Sequence, residues 1–476
     1  MQHTDSIRTS KSDKGLAIHA LDSIGLLVTA VLVYACLHQG LFFSSTWEGI
    51  SVWFPAVLLG LWLFTINTSS NSAKIMYNHT PLVLIPLLIA LIYAWHLLFG
   101  NPLSLNGTRD SLMQFFVISV FAAGCCILGH SIRGKKWISA GFQLVGWLMT
   151  LSGLLAVCGL LVLPNAVMRT DDPLLSAYGA RLAGLVEYPN AYGVLVGMFF
   201  LERLASAASA CSSSPAGELR RVTGTALGLF PAATALLISE SRGAWLALLL
   251  SALALLLLQR QGRRLPLLCA SAPPLLCAAL AHHALAGAAL APAPLPGLML
   301  LAGGEIAALV LALLLHALLA RGQRLAAACV ALAALTGAAG LVYHTAISRI
   351  TSGATWFARE AMWRDAVLYG VRSPWLGHGG DAWKHAVYTV QSSPYIGTEV
   401  HSGYLDLFLD TGVMGLMLML LLFAYILRLL LRHSRETIPV CLIVMLHGAV
   451  DFDFSYPLFW MLLVLIAAWK LPVERL

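Results

Sequence analysis

The chain has 476 residues, of which 59% are hydrophobic and 11% charged, with a mean hydropathy of +0.81. An ordinary soluble domain carries about 25% charged residues, so water is not the main solvent here. The net charge of +7 would suit nucleic acid, but the basic residues sit in short clusters between apolar runs, with no basic stripe or aromatic-basic module; no nucleic-acid partner is expected.

A polar tail over residues 1–17 comes first and is expected in the cytoplasm. No small-residue cleavage site follows it, so the first apolar run reads as a retained membrane helix. Fourteen apolar segments then follow, at about 18–39, 50–67, 80–99, 112–130, 138–163, 186–201, 222–239, 243–258, 265–286, 297–319, 325–346, 411–430, 437–450 and 455–469. The thirteenth is short, and it and its successor, or the pair meeting at Ser241-Arg242-Gly243, could each form a broken hairpin. Strands are not expected in quantity, because an open sheet edge finds no partners in lipid. The expected fold is an all-α polytopic membrane protein of about 12–14 transmembrane helices. A bundle over 18–346, an extracytoplasmic loop domain over 347–410 and C-terminal membrane helices over 411–470 make up its parts.

Strict alternation from a cytoplasmic tail puts 20 of the 29 basic residues inside, including Arg133, Lys135, Lys136, Arg321, Arg324, Arg428 and Arg432. Both termini are then cytoplasmic. The nine cysteines fall in apolar runs or cytoplasmic loops and make neither a disulfide framework nor a CxxC metal pattern. The Ala/Leu-rich stretch 265–341 reads as lipid-facing scaffold, whereas 348–410 is polar, aromatic and too long for a plain connector.

Basic residues on the outer side run against the topological trend and need a separate reason. Arg242 is wedged between two apolar runs in Ser239-Glu240-Ser241-Arg242-Gly243-Ala244, where it either snorkels to water, pairs with Glu240, or serves function. Arg359 and Trp363 share one helix face at i and i+4, an amphipathic surface or an anion-capturing one. Pro374-Trp375-Leu376-Gly377-His378-Gly379-Gly380 is turn-rich, yet it has neither the Lys-Ser/Thr of a P-loop nor a Rossmann context. His401 precedes the next membrane run, next to carboxylates able to fix its tautomer, and an imidazole titrates near neutrality as a general base should. Asp451-Phe452-Asp453 offers two carboxylates to a cation, but with no third ligand nearby it reads as a polar turn, and no metal or other cofactor is expected.

Several runs resemble one family. Arg181-Leu182-Ala183-Gly184-Leu185-Val186-Glu187-Tyr188-Pro189-Asn190 is similar to its R-x-x-G-hydrophobic-x-x-P-N segment, and Ser241-Arg242-Gly243-Ala244 to its S-R-G-A turn. Arg359 and Trp363 with Pro374, Gly377 and Gly379 resemble R-x-x-x-W…P-x-x-G-x-G; His401-Ser402-Gly403-Tyr404-Leu405 with Thr411-Gly412-Val413-Met414-Gly415 resembles H-N-x-Y-L…T-G-x-x-G; Asp451-Phe452 resembles the closing D-F. The family is that of the O-antigen ligases and O-antigen polymerases, and the resemblance covers 181–460. Ser402 stands where Asn is usual and Asp410 where Glu is usual, which bears on acceptor details.

The resemblance implies a GT-C-like membrane glycosyltransferase that takes a glycan from an undecaprenyl diphosphate carrier at the outer face of the bacterial plasma membrane. A lipid pyrophosphate is already a good leaving group, so no nucleotide site is required. The enzyme has to neutralise departing charge and deprotonate a hydroxyl. Arg242 and Arg359 are the candidates for the first task and His401 for the second, with Arg181, Arg349, Asn190, Trp363, Glu399 and Tyr404 as substrate-binding residues. The acceptor is a glycan, a lipid or a protein hydroxyl. A repeat-unit polymerase of the same family is a second reading. A flippase or exporter is a third, but it should bury its polar residues at mid-membrane, whereas these gather near the outer surface.

Overall fold

The structure is a computed structural model. It describes residues 2–68, 80–209, 215–350, 354–395 and 397–473, and within these the side chains of 2–17, 47–48, 62, 64–68, 80, 208–209, 215–216, 344–350 and 354–355 are left aside. Each of the fourteen apolar runs lies in a helix: α1 (Gln2–Leu37), α2 (Trp47–Thr68), α3 (Thr80–Leu98), α4 (Leu105–Gly129), α5 (Ile132–Val157), α6 (Pro189–Ser209), α7 (Pro215–Ile238), α8 (Arg242–Leu258), α9 (Gln261–Gly287), α10 (Pro294–Ala320), α11 (Arg324–Ile350), α14 (Gly403–His433), α15 (Ile438–His447) and α16 (Pro457–Trp469). Two more, α12 (Ala354–Gly370) and α13 (Ala382–Val390), lie in the polar stretch. Helices prevail because a backbone in hydrocarbon must satisfy every N–H and C=O within its own segment.

Among the described residues nine helices are long and apolar enough to cross a membrane, and α8 and α16 are shorter apolar helices. The chain is thus an all-α, multi-pass membrane protein. One strand pair interrupts the helices: β1 (Val167–Arg169) runs antiparallel to β2 (Ala180–Leu182), with Met168 opposite Arg181.

Contacts divide the chain into two compact units. The first comprises Met1–Val145, Glu360–Ser434 and Phe452–Leu476. In it α3 lies along α4, with α16 against α4 and α14 against α3. Above the apolar helices, α12 and α13 fold onto a small core of their own, in which Met362, Ala366, Trp383, Val387 and Val400 are buried. The polar stretch is therefore a folded body rather than a tether.

The second unit comprises Gly146–Arg359 and Arg435–Asp451. Helix α9 packs against α7, α10 and α11, while α6 packs against α7, α8 and α15. Its outer members are sparsely covered: 17% of the apolar window in α10 and 22% of that in α11 is buried, against 67% in α7. Of the stretch expected to face lipid, α10 and α11 are thus sparsely covered, whereas α9, with 61% of its apolar window buried, is not.

Candidate active site

In the second unit Arg359, Tyr188 and Asn190 meet on one buried carboxylate, Asp451, and Arg181 holds Asn190 in turn. Pro189 starts α6 at a position where its missing N–H costs nothing and its ring presets the helical φ. Tyr188 and Asn190 are thereby held on either side of the helix start. Asn190 Nδ2 donates to Asp451 Oδ2 at 2.7 Å and to the Tyr188 hydroxyl at 2.8 Å, and that hydroxyl donates to Asp451 Oδ1 at 3.0 Å. Arg359 donates from Nη1 to the Val450 carbonyl, and its Nη2 lies 3.4 Å from Asp451 Oδ2.

Arg181 comes from β2 and is 6% exposed. It donates from Nη2 to Asn190 Oδ1 at 2.6 Å and from Nε to the Ser239 carbonyl at 2.9 Å. Burial holds its guanidinium below the usual arginine range, partly offset by Tyr188, Glu240 and Asp451. With these donors engaged inside the protein, Arg181 orients Asn190 and the turn at Ser239.

Arg242 opens α8. The turn before it is closed by Glu240, a non-glycine residue at φ 48°, and by the Ser241 hydroxyl, which caps the helix by accepting from Ala244 N at 3.2 Å. Glu240 itself accepts from the Ala177 N–H at 2.9 Å and the Ser176 hydroxyl at 3.2 Å, so its carboxylate is turned toward 176–177. Gly243 is needed for close approach: a Cβ there would stand 2.9 Å from His447 Nε2. The charge of Arg359 is near enough to Arg242 to repel it. Arg242 itself stands at a helix N-terminus, whose dipole adds further positive character.

The first unit holds the other predicted residues. Trp363 Nε1 donates to the carbonyls of Val400 at 3.0 Å and His401 at 3.2 Å, pinning the segment before α14. His401 adopts φ 49°, a left-handed conformation that a β-carbon resists, and its ring lies 5.4 Å from that of Phe452. Ser402 caps α14 by accepting from Leu405 N. Glu399 pairs with Lys384 Nζ at 3.4 Å, and Asp381 holds the same ammonium at 3.0 Å. Burial, with Asp406 adding to it, pushes Glu399 up to about 8 despite the lysine. Tyr404 packs edge-on against Phe454, with ring centroids 5.4 Å apart.

The structure brings together Arg181, Asn190, Arg242 and Arg359 in one unit, and Trp363, Glu399, His401 and Tyr404 in the other. Arg349 lies outside the residues whose side chains are described. One expectation changes. Asp451 is no mere polar turn: it is 1% exposed and is the acceptor on which Arg359, Tyr188 and Asn190 converge. Glu399, expected to bind substrate, also reaches Lys384. The signal that would have exposed Asp451 is its place in an otherwise apolar stretch, where an ionisable residue implies a partner. Among the described residues no group of three His, Cys, Asp or Glu side chains could hold a metal.

Comparison with known proteins places this geometry. Residues 295–420 match the family model described as O-antigen ligase, a span that includes Arg359, Trp363, Glu399, His401 and Tyr404. The match supports the resemblance read from the motifs over the segment it covers. No curated protein matches the chain.

Proposed function

We propose, for a chain whose residues 295–420 belong to the O-antigen ligase family, that it transfers a glycan from an undecaprenyl diphosphate carrier to an acceptor hydroxyl at the outer face of the bacterial plasma membrane, with both termini cytoplasmic. The observation that carries this reading is the convergence of Arg359, Asn190 and Tyr188 on the buried Asp451, in the unit that also holds Arg242, whose guanidinium senses the charge of Arg359. Like charges are kept together only at a cost, and that cost is recovered when a polyanion arrives. A pyrophosphate matches two planar guanidiniums, each able to grip it through paired N–H donors.

The acceptor hydroxyl gives its proton to the His401 imidazole as its oxygen bonds to the anomeric carbon. The bond from that carbon to the carrier's phosphate oxygen breaks, and the electron pair leaves on the pyrophosphate, where Arg242 and Arg359 neutralise it. Attack from the face opposite the leaving group inverts the anomeric configuration. No divalent cation is required for these steps. A polymerase, whose acceptor is a second carrier-linked glycan, shares all of them, and the acceptor consumed distinguishes the two.

The test uses purified protein and a synthetic carrier-linked donor. Arg242→Lys and Arg359→Lys should each lower transfer, because an ammonium keeps the charge but loses the fork. Transfer should persist in excess EDTA. Full activity in both lysine variants, or activity abolished by EDTA and restored by magnesium, would overturn the assignment.

A further inference from the structure

The first unit contains a cavity of about 270 Å³ that the steps above leave without a task. Its polar wall comes from the first turns of α4, α13 and α14, which bring Asp110, Gln114, Lys384, Asp406 and Asp410 together with Asp381 just before α13. The aromatic part of the lining is formed by Phe42, Phe115, Phe454 and Trp460. Tyr93 completes the floor, its hydroxyl donating to Asp410 Oδ2 at 3.2 Å.

This mixture is specific in what it can hold. A cation alone would call for carboxylates without the aromatic wall, and no three such groups among the described residues are placed to ligate a metal. An apolar ligand would leave the carboxylates desolvated and unmatched. A pyranose satisfies both walls. Its ring hydroxyls donate to carboxylates and accept from an amide or ammonium, while its C–H faces lie on aromatic rings. The volume is small beside the 300–1,000 Å³ usual for drug-sized ligands, about right for one sugar. The carboxylates outnumber the one ammonium and so disfavour an anionic sugar.

We propose that this cavity holds one neutral or amino-bearing pyranose, the sugar that carries the acceptor hydroxyl, through Asp381, Asp406 and Gln114. Only the word acceptor rests on the transfer reading above. The cavity adjoins the residue assigned as base: Phe42 on its wall lies 6.0 Å from Phe452, and Phe452 lies 5.4 Å from the His401 ring. Gly403, two positions after His401, also lines it. Lys384, over the Phe42 ring at 5.4 Å, closes the polar side.

The full chain in lipid nanodiscs should show saturation-transfer NMR signals to glucose, N-acetylglucosamine and glucosamine, and weak or no signal to glucuronate. Asp406→Asn combined with Gln114→Ala should weaken binding about tenfold, as the loss of hydrogen bonds to a bound polar ligand does. Asp110→Asn, altered at the partly exposed rim, should weaken it less and guards against a folding defect in the double variant. No signal to any neutral sugar, equal binding by wild type and the double variant, preference for glucuronate, or displacement of the sugars by magnesium would each overturn the proposal. Arg359→Ala separates it from the transfer reading. Transfer lost in that variant while wild type binds no sugar sinks the cavity alone, and sugar binding with full transfer in Arg359→Ala sinks the transfer mechanism alone.

Discussion

Arg359 and Asp451 form an ion pair in which Arg359 Nη2 stands 3.4 Å from an Oδ2 that also accepts from Asn190, on a carboxylate that is 1% exposed. Deleting one member of a buried pair costs about 3–5 kcal/mol, because the other charge is stranded; partial exposure of Arg359 places this pair toward the lower end. Asp451→Ala should therefore lower Tm in detergent and abolish transfer. Asp451→Asn can still accept from Asn190, so it should fold better than the alanine variant yet transfer more slowly than wild type. Thermal unfolding beside a transfer assay checks both, and an Asp451→Ala protein with wild-type Tm and rate would show that the pair supports neither.

The left-handed backbone at His401 allows chemistry to be separated from conformation. Asparagine tolerates that region better than other residues bearing a β-carbon, so His401→Asn keeps the turn while removing the base. Transfer should fall by about 10²- to 10⁴-fold, the range for a lost general base, with Tm unchanged. Undiminished transfer by His401→Asn would remove His401 from the mechanism.

Gly377 and Gly412 lie where two backbones press together. A Cβ on Gly412 would come 2.3 Å from the Trp375 carbonyl carbon, and one on Gly377 would come 2.4 Å from that of Asp410. Gly412 also sits at φ 67° inside α14, and the crossing is tied by His378 N donating to Leu409 O at 2.9 Å and Val413 N to Pro374 O at 2.8 Å. Gly412→Ala should cost more than the about 1–3 kcal/mol of backbone strain alone, because it also clashes. The yield of monodisperse protein by size exclusion should drop sharply. A normal yield and Tm would mean that the crossing can part without penalty.

Much of this fold was legible in the sequence, for a physical reason: a long apolar run in lipid has few alternatives to a helix, and each of the fourteen runs became one. The start of α14 was not. Tyr404, Asp406 and Asp410 make its first turns too polar for a hydropathy reading, and the helix begins at Gly403 because Ser402 caps it. Arg242 stood out by its placement against the charge trend, Arg359 by sharing a helix face with Trp363, and His401 by its position just before a membrane run. The role of Asp451 did not, since its partners Tyr188 and Asn190 are 263 and 261 positions away. The cavity was equally hidden, being assembled from the ends of helices scattered along the chain.

Glu399 gives a pH dependence. Its folded-state pKa is raised from 4.5 to about 8, so the fold favours the protonated carboxyl. That contribution to stability is fully present below about pH 4.5 and is lost as pH rises through about 8. Over this window Lys384 stays charged: against burial, its ammonium is held above the usual lysine range, with Asp381 ionised beside it throughout. Tm of the wild type should accordingly decline from pH 5 to pH 9, and Glu399→Gln should flatten the decline. A Glu399→Gln profile parallel to wild type would assign the slope to other groups.

Helices α10 and α11 touch the rest of the protein along only a small part of their surface. At 1.5 Å per residue the 27 residues of α10 extend about 40 Å, whereas the hydrocarbon layer is about 30 Å thick. Such a mismatch is relieved by tilting or by locally thickening the bilayer, at a modest cost for each ångström. With little of its surface covered by protein, α10 is expected to answer to acyl-chain length, which would make the lipids around this protein one of the determinants of its geometry.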